Sequence, residues 1–112
     1  MGGIALMQIT NLPPLNMIAG KPYWQGWQLR NPDETVVDLS LFSAVCDFSR
    51  DGEPLLSVPL TITPENNIEL NLDPLQVEGL SGPRATYEIT IIPNTDPSAP
   101  PAEVWRGSVN VQ

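Results

Sequence analysis

Histidine is absent from the 112 residues, and cysteine occurs once, at Cys46. The first absence removes the commonest general base and the imidazole metal ligand, so histidine triads and zinc fingers are excluded. The second forbids an internal disulfide. Basic residues are scarce: five Lys and Arg stand against thirteen Asp and Glu, a formal charge of −8. Such a chain repels a phosphate backbone, so nucleic acid is not an expected partner. Charged residues make up only 16% of the sequence, against about 25% in an ordinary domain, which suits a surface packed against neighbours or coated with neutral polar groups. No apolar run approaches a transmembrane length, so no membrane partner is expected. The start Met1-Gly2-Gly3 lacks the Ser or Thr that myristoylation needs at Leu6, and no basic, then apolar, signal segment is present. The expectation is a soluble product made in a cytoplasm.

Thirteen prolines and eight glycines interrupt the chain too often for long helices. What remains is period-two alternation. After an apolar lead of Ile4, Leu6 and Ile9, the Asn11-Leu12-Pro13-Pro14 stretch marks an extended connection, which makes residues 1–21 an N-terminal strand or arm. In Pro22 to Arg30, Tyr23, Gln25, Trp27 and Leu29 alternate with Trp24, Gly26 and Gln28, a strand signature. Asn31-Pro32-Asp33-Glu34 is a turn, followed by the short β-branched stretch Thr35 to Leu39. Phe42, Ala44, Cys46 and Phe48 share one face of the next strand. Arg50-Asp51-Gly52-Glu53 predicts a tight hairpin, and its return, Pro54 to Thr63, is broken by Pro59, which predicts an edge strand, a bulge or two short strands.

Ile68 to Leu72 alternates again. Asp73-Pro74 opens a short helical turn whose Leu75, Val77 and Leu80 are expected to pack under the sheet, ended by Gly79 and Gly82-Pro83. Ala85 to Pro93 and Val104 to Val111 are two further strands, the second with Gly107 as a bulge or a close approach. Asn94 to Pro101 is a proline-rich loop. The sum is an all-β chain: an immunoglobulin-like antiparallel β-sandwich of about seven strands with one short helical turn, a single domain over 22–112.

Catalytic material is limited to carboxylates. Asp33, Glu34, Asp38, Asp47, Asp51, Glu53 and Glu65 all lie in or near turns, and no nucleophile, base and orienter fall together. Asp51-Gly52-Glu53 is too short for a calcium loop, whose ligands spread over twelve residues. The chain is therefore expected not to be an enzyme and to use no cofactor and no metal. Cys46, between Phe42 and Phe48 on one face, is expected to be a small buried hydrophobe. Aromatic residues offer binding chemistry instead. Trp24 and Trp27, three apart, point to opposite faces, so one belongs to the core and the other is open to a protein interface or a sugar. The expected contact residues are Tyr23, Trp24, Trp105 and the stretch Leu12, Pro13, Pro14 and Leu15.

Several of these segments recur together in a known pattern. The apolar lead and Gly20, Tyr23-Trp24-Gln25-Gly26-Trp27, Thr35-Val36-Val37-Asp38-Leu39-Ser40, and Phe42 to Ser49 ending in Arg50-Asp51-Gly52 stand in the first half. Ile68-Glu69-Leu70-Asn71-Leu72, the turn through Leu75, Tyr87-Glu88-Ile89-Thr90-Ile91 and the closing Trp105-Arg106-Gly107-Ser108-Val109-Asn110-Val111 stand in the second. The sequence resembles the small β-sandwich domains of tail, baseplate and fibre-attachment proteins of tailed bacteriophages, with Asp-Leu-Ser and the final Gly-x-Val-x-Val as the most telling pieces. The resemblance implies a virion structural protein, made in the host bacterial cytoplasm, whose partners are other virion proteins in a symmetric assembly. A capsid cement or decoration protein is the alternative within that class, and a carbohydrate-binding module using Trp24 or Trp27 is the alternative outside it.

Overall fold

The computed structural model describes residues 8–30, 33–94 and 103–112. The elements run β1 (Gln8–Asn11), β2 (Leu15–Met17), β3 (Tyr23–Gln28), β4 (Phe42–Arg50), β5 (Glu53–Ile62), β6 (Asn67–Leu72), α1 (Pro74–Gly79), β7 (Ala85–Pro93) and β8 (Glu103–Val111). The expected lead at Ile4 and Leu6, the Asn31-Pro32 part of the first turn, and most of the loop from Asn94 to Pro101 lie outside the described residues. The chain is all-β with one short helix, as its alternation predicts.

The strands are joined in the order β1-β8-β7-β4-β5-β6-β3, with β2 also on β8. β1 and β2 are two parts of one margin: β1 pairs with Glu103 to Arg106, β2 with Val109 to Val111, and Leu12 to Pro14 form the step between them. Taken as one interrupted strand, they bring the total to seven. Both pairings are parallel, whereas β3 with β6, β4 with β5 and β7, β5 with β6, and β7 with β8 are all antiparallel. The long strand β5 closes the sandwich. Its first part pairs with β4, and Thr61 and Ile62 pair instead with Glu69 and Ile68 of β6, carrying the chain from one layer to the other.

Between the layers, alternation becomes burial. Ala44, Cys46 and Phe48 of β4 meet Val58 and Leu60 of β5, Ile68, Leu70 and Leu72 of β6, and Ala85, Tyr87, Ile89 and Ile91 of β7 in one core. Each fully buried Leu, Ile, Val or Phe contributes about 1.5–3 kcal/mol relative to exposure, so this face sets the registers. Pro59 lies opposite Val45. Having no N–H, it fits only a pair without ladder bonds, and it removes a donor from the open margin of β5. Of the three readings of that segment, two are observed: Glu53 to Leu60 has an open margin, and a bulge places Leu55 between Leu56, opposite Phe48, and Pro54, opposite Ser49.

The turns follow their residue chemistry. Asp51 and Gly52 both have positive φ, 51° and 82°, the hairpin geometry that an Asp-Gly pair favours. Asn66 takes φ 65°, and its Oδ1 accepts from the Leu39 N–H at 2.8 Å, so this turn also holds the buried Leu39. Thr35 to Leu39 is mostly loop rather than strand: only Val36 bridges, to Arg30. α1 opens on a full capping box. The Gln76 N–H donates to Asp73 Oδ1 at 2.8 Å, and the Asp73 N–H donates to Gln76 Oε1 at 2.9 Å, which satisfies two otherwise unpaired donors.

From Gln8 to Met17 the N-terminal stretch is joined to the sheet and not a detached arm. Leu15 and Met17 are buried in the same core as the rest, because the step at Leu12 to Pro14 resets the margin so that β2 faces inward. The Leu12 N–H donates to the Arg106 carbonyl at 2.7 Å, and the Tyr87 hydroxyl donates to the Pro13 carbonyl at 3.1 Å. To reach Pro13, the Tyr87 ring passes over its strand partner Gly107. A Cβ at Gly107 would stand 2.5 Å from Tyr87 Cε1. Gly107 is thus the close approach that the sequence suggests.

Gly107→Ala is therefore expected to destabilise the fold by about 1–3 kcal/mol through overpacking, and Tyr87→Phe by about 1 kcal/mol through the lost hydrogen bond. In a Tyr87→Leu background the Gly107→Ala cost should fall towards zero, since the clashing ring is gone. Urea unfolding of the double-mutant cycle measures this coupling, and additive costs would contradict the packing account.

Candidate interaction surfaces

The expected contact residues divide sharply in the structure. Trp105 and Leu15 are 5% and 3% exposed, so the expectation that they meet a partner is corrected: both are core residues. Trp105 faces inward because it shares the face of Val109, and its ring lies tilted against Trp27 at 6.5 Å between centroids. Trp27 also stacks on Tyr87 at 6.4 Å and 30°, making an aromatic group in which Tyr87 and Trp105 are buried and Trp27 is half-buried against them. Tyr23 is half-buried against the same core, its hydroxyl donating to Gln25 Oε1 at 3.1 Å. Leu12 is half-buried, and Pro13 and Pro14 are exposed on a backbone fastened to β7 and β8.

Trp24 behaves differently. It is 58% exposed, on the outer face of β3, and its six-membered ring lies over Gly26: a Cβ there would be 2.9 Å from both Cη2 and Cζ2. Opposite Trp24, Gly26 and Gln28 stand Asn71, Glu69 and Asn67 of β6. The Gln28 Nε2 donates to Asn67 Oδ1 at 2.9 Å. The opposite-face rule for residues three apart therefore assigns Trp27 inward and Trp24 outward.

A second surface was not anticipated by the sequence reading. Leu55 on β5 and Leu75 on α1, the latter 78% exposed, line a cleft of about 280 Å³ with Leu56, Asp73, Gln76 and Gly79. Its walls are fixed at two points. The capping box sets the start of α1, and Arg50 holds its end: Nε donates to the Pro83 carbonyl at 2.7 Å, and NH2 to the Leu80 and Ser81 carbonyls at 3.0 and 3.1 Å. The expectation that Leu75 packs under the sheet is corrected: only Val77 and Leu80 take the inward positions, and the helical turn carries Leu75 outward. A signal was present in the sequence, since Leu75 precedes the inward pair by two and five residues and falls off their stripe.

The carboxylates are dispersed: Asp47 lies within β4 and Glu53 opens β5, while Asp33, Asp51 and Glu65 stand in turns. Asp33 Oδ1 accepts from the Thr35 hydroxyl at 2.6 Å and the Thr35 N–H at 3.0 Å, and these bonds, the hydroxyl first, lower its pKa. Asp38 Oδ1 accepts from the Ser40 N–H, which lowers that pKa likewise. Glu88 pairs with Arg106 at 2.7 Å across the outer face. Among the described residues no three His, Cys, Asp or Glu side chains gather to hold a metal, and no helix is long and apolar enough to cross a membrane.

No protein-family model matches the sequence, and no curated protein does. Among solved structures, the cysteine protease inhibitor EhICP2 from Entamoeba histolytica superposes with a TM-score of 0.51 at 13% identity, over 95% of both chains. The fold is immunoglobulin-like. Below a TM-score of 0.5 stand InlP of Listeria monocytogenes, at 0.47 and 13% identity over 95% of this chain and 28% of that one, and the ZIG-8–RIG-5 IG1-IG1 heterodimer, at 0.42 and 18% over 96% and 83%. At these identities the likeness is one of architecture.

Cys46 is fully buried, and desolvation, with the Asp47 carboxylate adding to it, pushes its thiol up to about 12. Desolvation first, then Cys46 and Tyr23, pushes the Tyr87 phenol up to about 12 from 10.0. Both groups keep their protons in the folded chain where the unfolded chain has lost them, so the unfolded state binds fewer protons and stability falls as pH rises. Urea unfolding is expected to show full stability below the ordinary thiol value of 9.0 and a progressive loss towards pH 12. A thiol reagent at pH 8 should label Cys46 only on unfolding; rapid labelling of the folded chain would contradict its burial.

Proposed function

We propose that this chain is a structural component of a tailed-bacteriophage particle, binding other virion proteins at the tail, the baseplate or the fibre attachment. The observation that carries the reading is the Leu55–Leu75 cleft. Two exposed leucines stand on a surface stiffened by a capping box and an arginine clamp, and a rigid apolar recess of this kind loses little freedom when a neighbour's apolar side chain fills it. The resemblance stated above supports the virion setting: its Gly-x-Val-x-Val lies in β8, and its Asp-Leu-Ser leads into β4. Pro54 and Pro59 on the open margin of β5 oppose strand addition there, which favours side-chain docking in the cleft. Symmetric repetition multiplies such small contacts into firm attachment.

The test is incorporation. A Leu55→Asp, Leu75→Asp double variant is expected to fold normally, because neither side chain is buried, and to fall at least roughly tenfold in copies per particle, the loss that about 1.4 kcal/mol produces. Normal incorporation of the folded variant would overturn the role of the cleft. Absence of the native chain from purified particles would overturn the virion reading itself. Counting copies by imaging separates the two locations: hundreds correspond to capsid decoration, and roughly a dozen or fewer to the tail.

A further inference from the structure

We propose that the outer face of the β3–β6 ribbon is a carbohydrate-binding platform, on which a neutral pyranose stacks against Trp24. The posture of the indole is the first reason. The six-membered ring sits against Gly26 while the side chain as a whole is 58% exposed, so much of the indole surface is held in place beside the sheet and open to solvent. Glycine permits this posture, and any larger residue at position 26 would lift the ring. A pyranose offers the matching surface, an apolar C–H face encircled by hydroxyls, and a flat indole binds such a face through dispersion and its negative quadrupole.

The rim supplies the second reason. Across the strand pair, Asn71 stands opposite Trp24, Glu69 opposite Gly26, and Asn67 opposite Gln28. Amides both donate to and accept from hydroxyls, and a carboxylate accepts from them strongly. Two of these groups are oriented in advance: Arg30 NH2 donates to Gln28 Oε1, whose Nε2 in turn donates to Asn67. The groove that Trp24, Gly26, Gln28, Asn67 and Glu69 share with the edge of Trp27 holds about 250 Å³. That is below the range of about 300 Å³ upward in which drug-sized ligands are enclosed, and it suits one ring lying on an open surface.

Charge and polarity narrow the ligand. Glu69 at the centre and a chain charge of −8 oppose sulfated or uronic glycans. Trp24 is the one large exposed apolar side chain on β3 and β6 among the described residues, whereas a stable protein interface needs an apolar centre within roughly 800 Å² per partner. This platform uses none of the Leu55–Leu75 cleft and stands or falls apart from the virion reading.

The experiment titrates the full chain with cellohexaose, laminarihexaose and mannohexaose, followed by tryptophan fluorescence and calorimetry, with a heparin hexasaccharide alongside. At least one neutral hexasaccharide is expected to bind and the heparin fragment not to bind. Trp24→Ala should weaken that binding by roughly tenfold or more, the scale of losing one stacked ring. Gly26→Val, which displaces the indole without removing it, should weaken it as well, and Trp24→Phe should restore part of it. Unchanged circular dichroism and melting in any of these variants identifies the loss as one of contact. Failure of all three neutral sugars to bind, or equal affinity in folded Trp24→Ala, overturns the proposal. So does loss of particle incorporation in Trp24→Ala without any sugar binding, which would make this face a protein contact.

Discussion

Burial of the inward faces of β4 and β7 is the constraint on which the molecule rests. Cys46, Phe48, Tyr87, Ile89 and Ile91 are each exposed by 1% or less. A slip of one residue in this pairing would turn the whole inward set of one of the two strands to solvent. With that register fixed, β8 must lie where Trp105 and Val109 face Ile89 and Ala85, and Tyr87 must cross Gly107. The hydroxyl of Tyr87 then meets the Pro13 carbonyl, so the step between β1 and β2 is tied across β8 to a residue of β7. The ionisation of Tyr87 and Cys46 belongs to the same packing, because it is desolvation in this layer that holds both protons so tightly.

The two candidate surfaces are consequences of what this core leaves outside. On β3, alternation sends Trp27 into the aromatic group with Tyr87 and Trp105 and forces Trp24 out, where Gly26 allows it to lie down. On α1, Val77 and Leu80 fill the end of the core and leave Leu75 projecting beside Leu55. The two surfaces differ in character. One is a single flat ring among polar groups, suited to a ligand that is itself half apolar and half hydroxylated. The other is a recess between leucines, suited to a side chain. Neither needs motion, since both are held by hydrogen bonds internal to the fold, and this rigidity lowers the entropic cost of any contact they make.

The strands, the Asp-Gly hairpin, the capped helical turn and the opposite faces of Trp24 and Trp27 were legible along the chain, because each depends on neighbours within a few residues. Burial of Cys46 was legible for the same reason, as it shares a face with Phe42 and Phe48. The exposure of the expected contact residues was legible only in part. Trp24 emerged as an exposed aromatic, while Trp105 and Leu15 sank into the core, and an aromatic or a leucine carries no local mark of which layer will cover it. The parallel joining of β1 and β2 to β8 likewise links residues about ninety positions apart, and no short-range pattern encodes it.

Sequence alone determined that this is an all-β chain without histidine chemistry or disulfides, with one face of each strand turned inward, since composition and period-two alternation act residue by residue. Tertiary structure decided which aromatics are covered, that β5 passes from one layer to the other, that Arg50 closes α1, and that Leu55 and Leu75 meet. Those outcomes depend on which distant segments come to lie side by side, and only the folded packing of the whole core selects them.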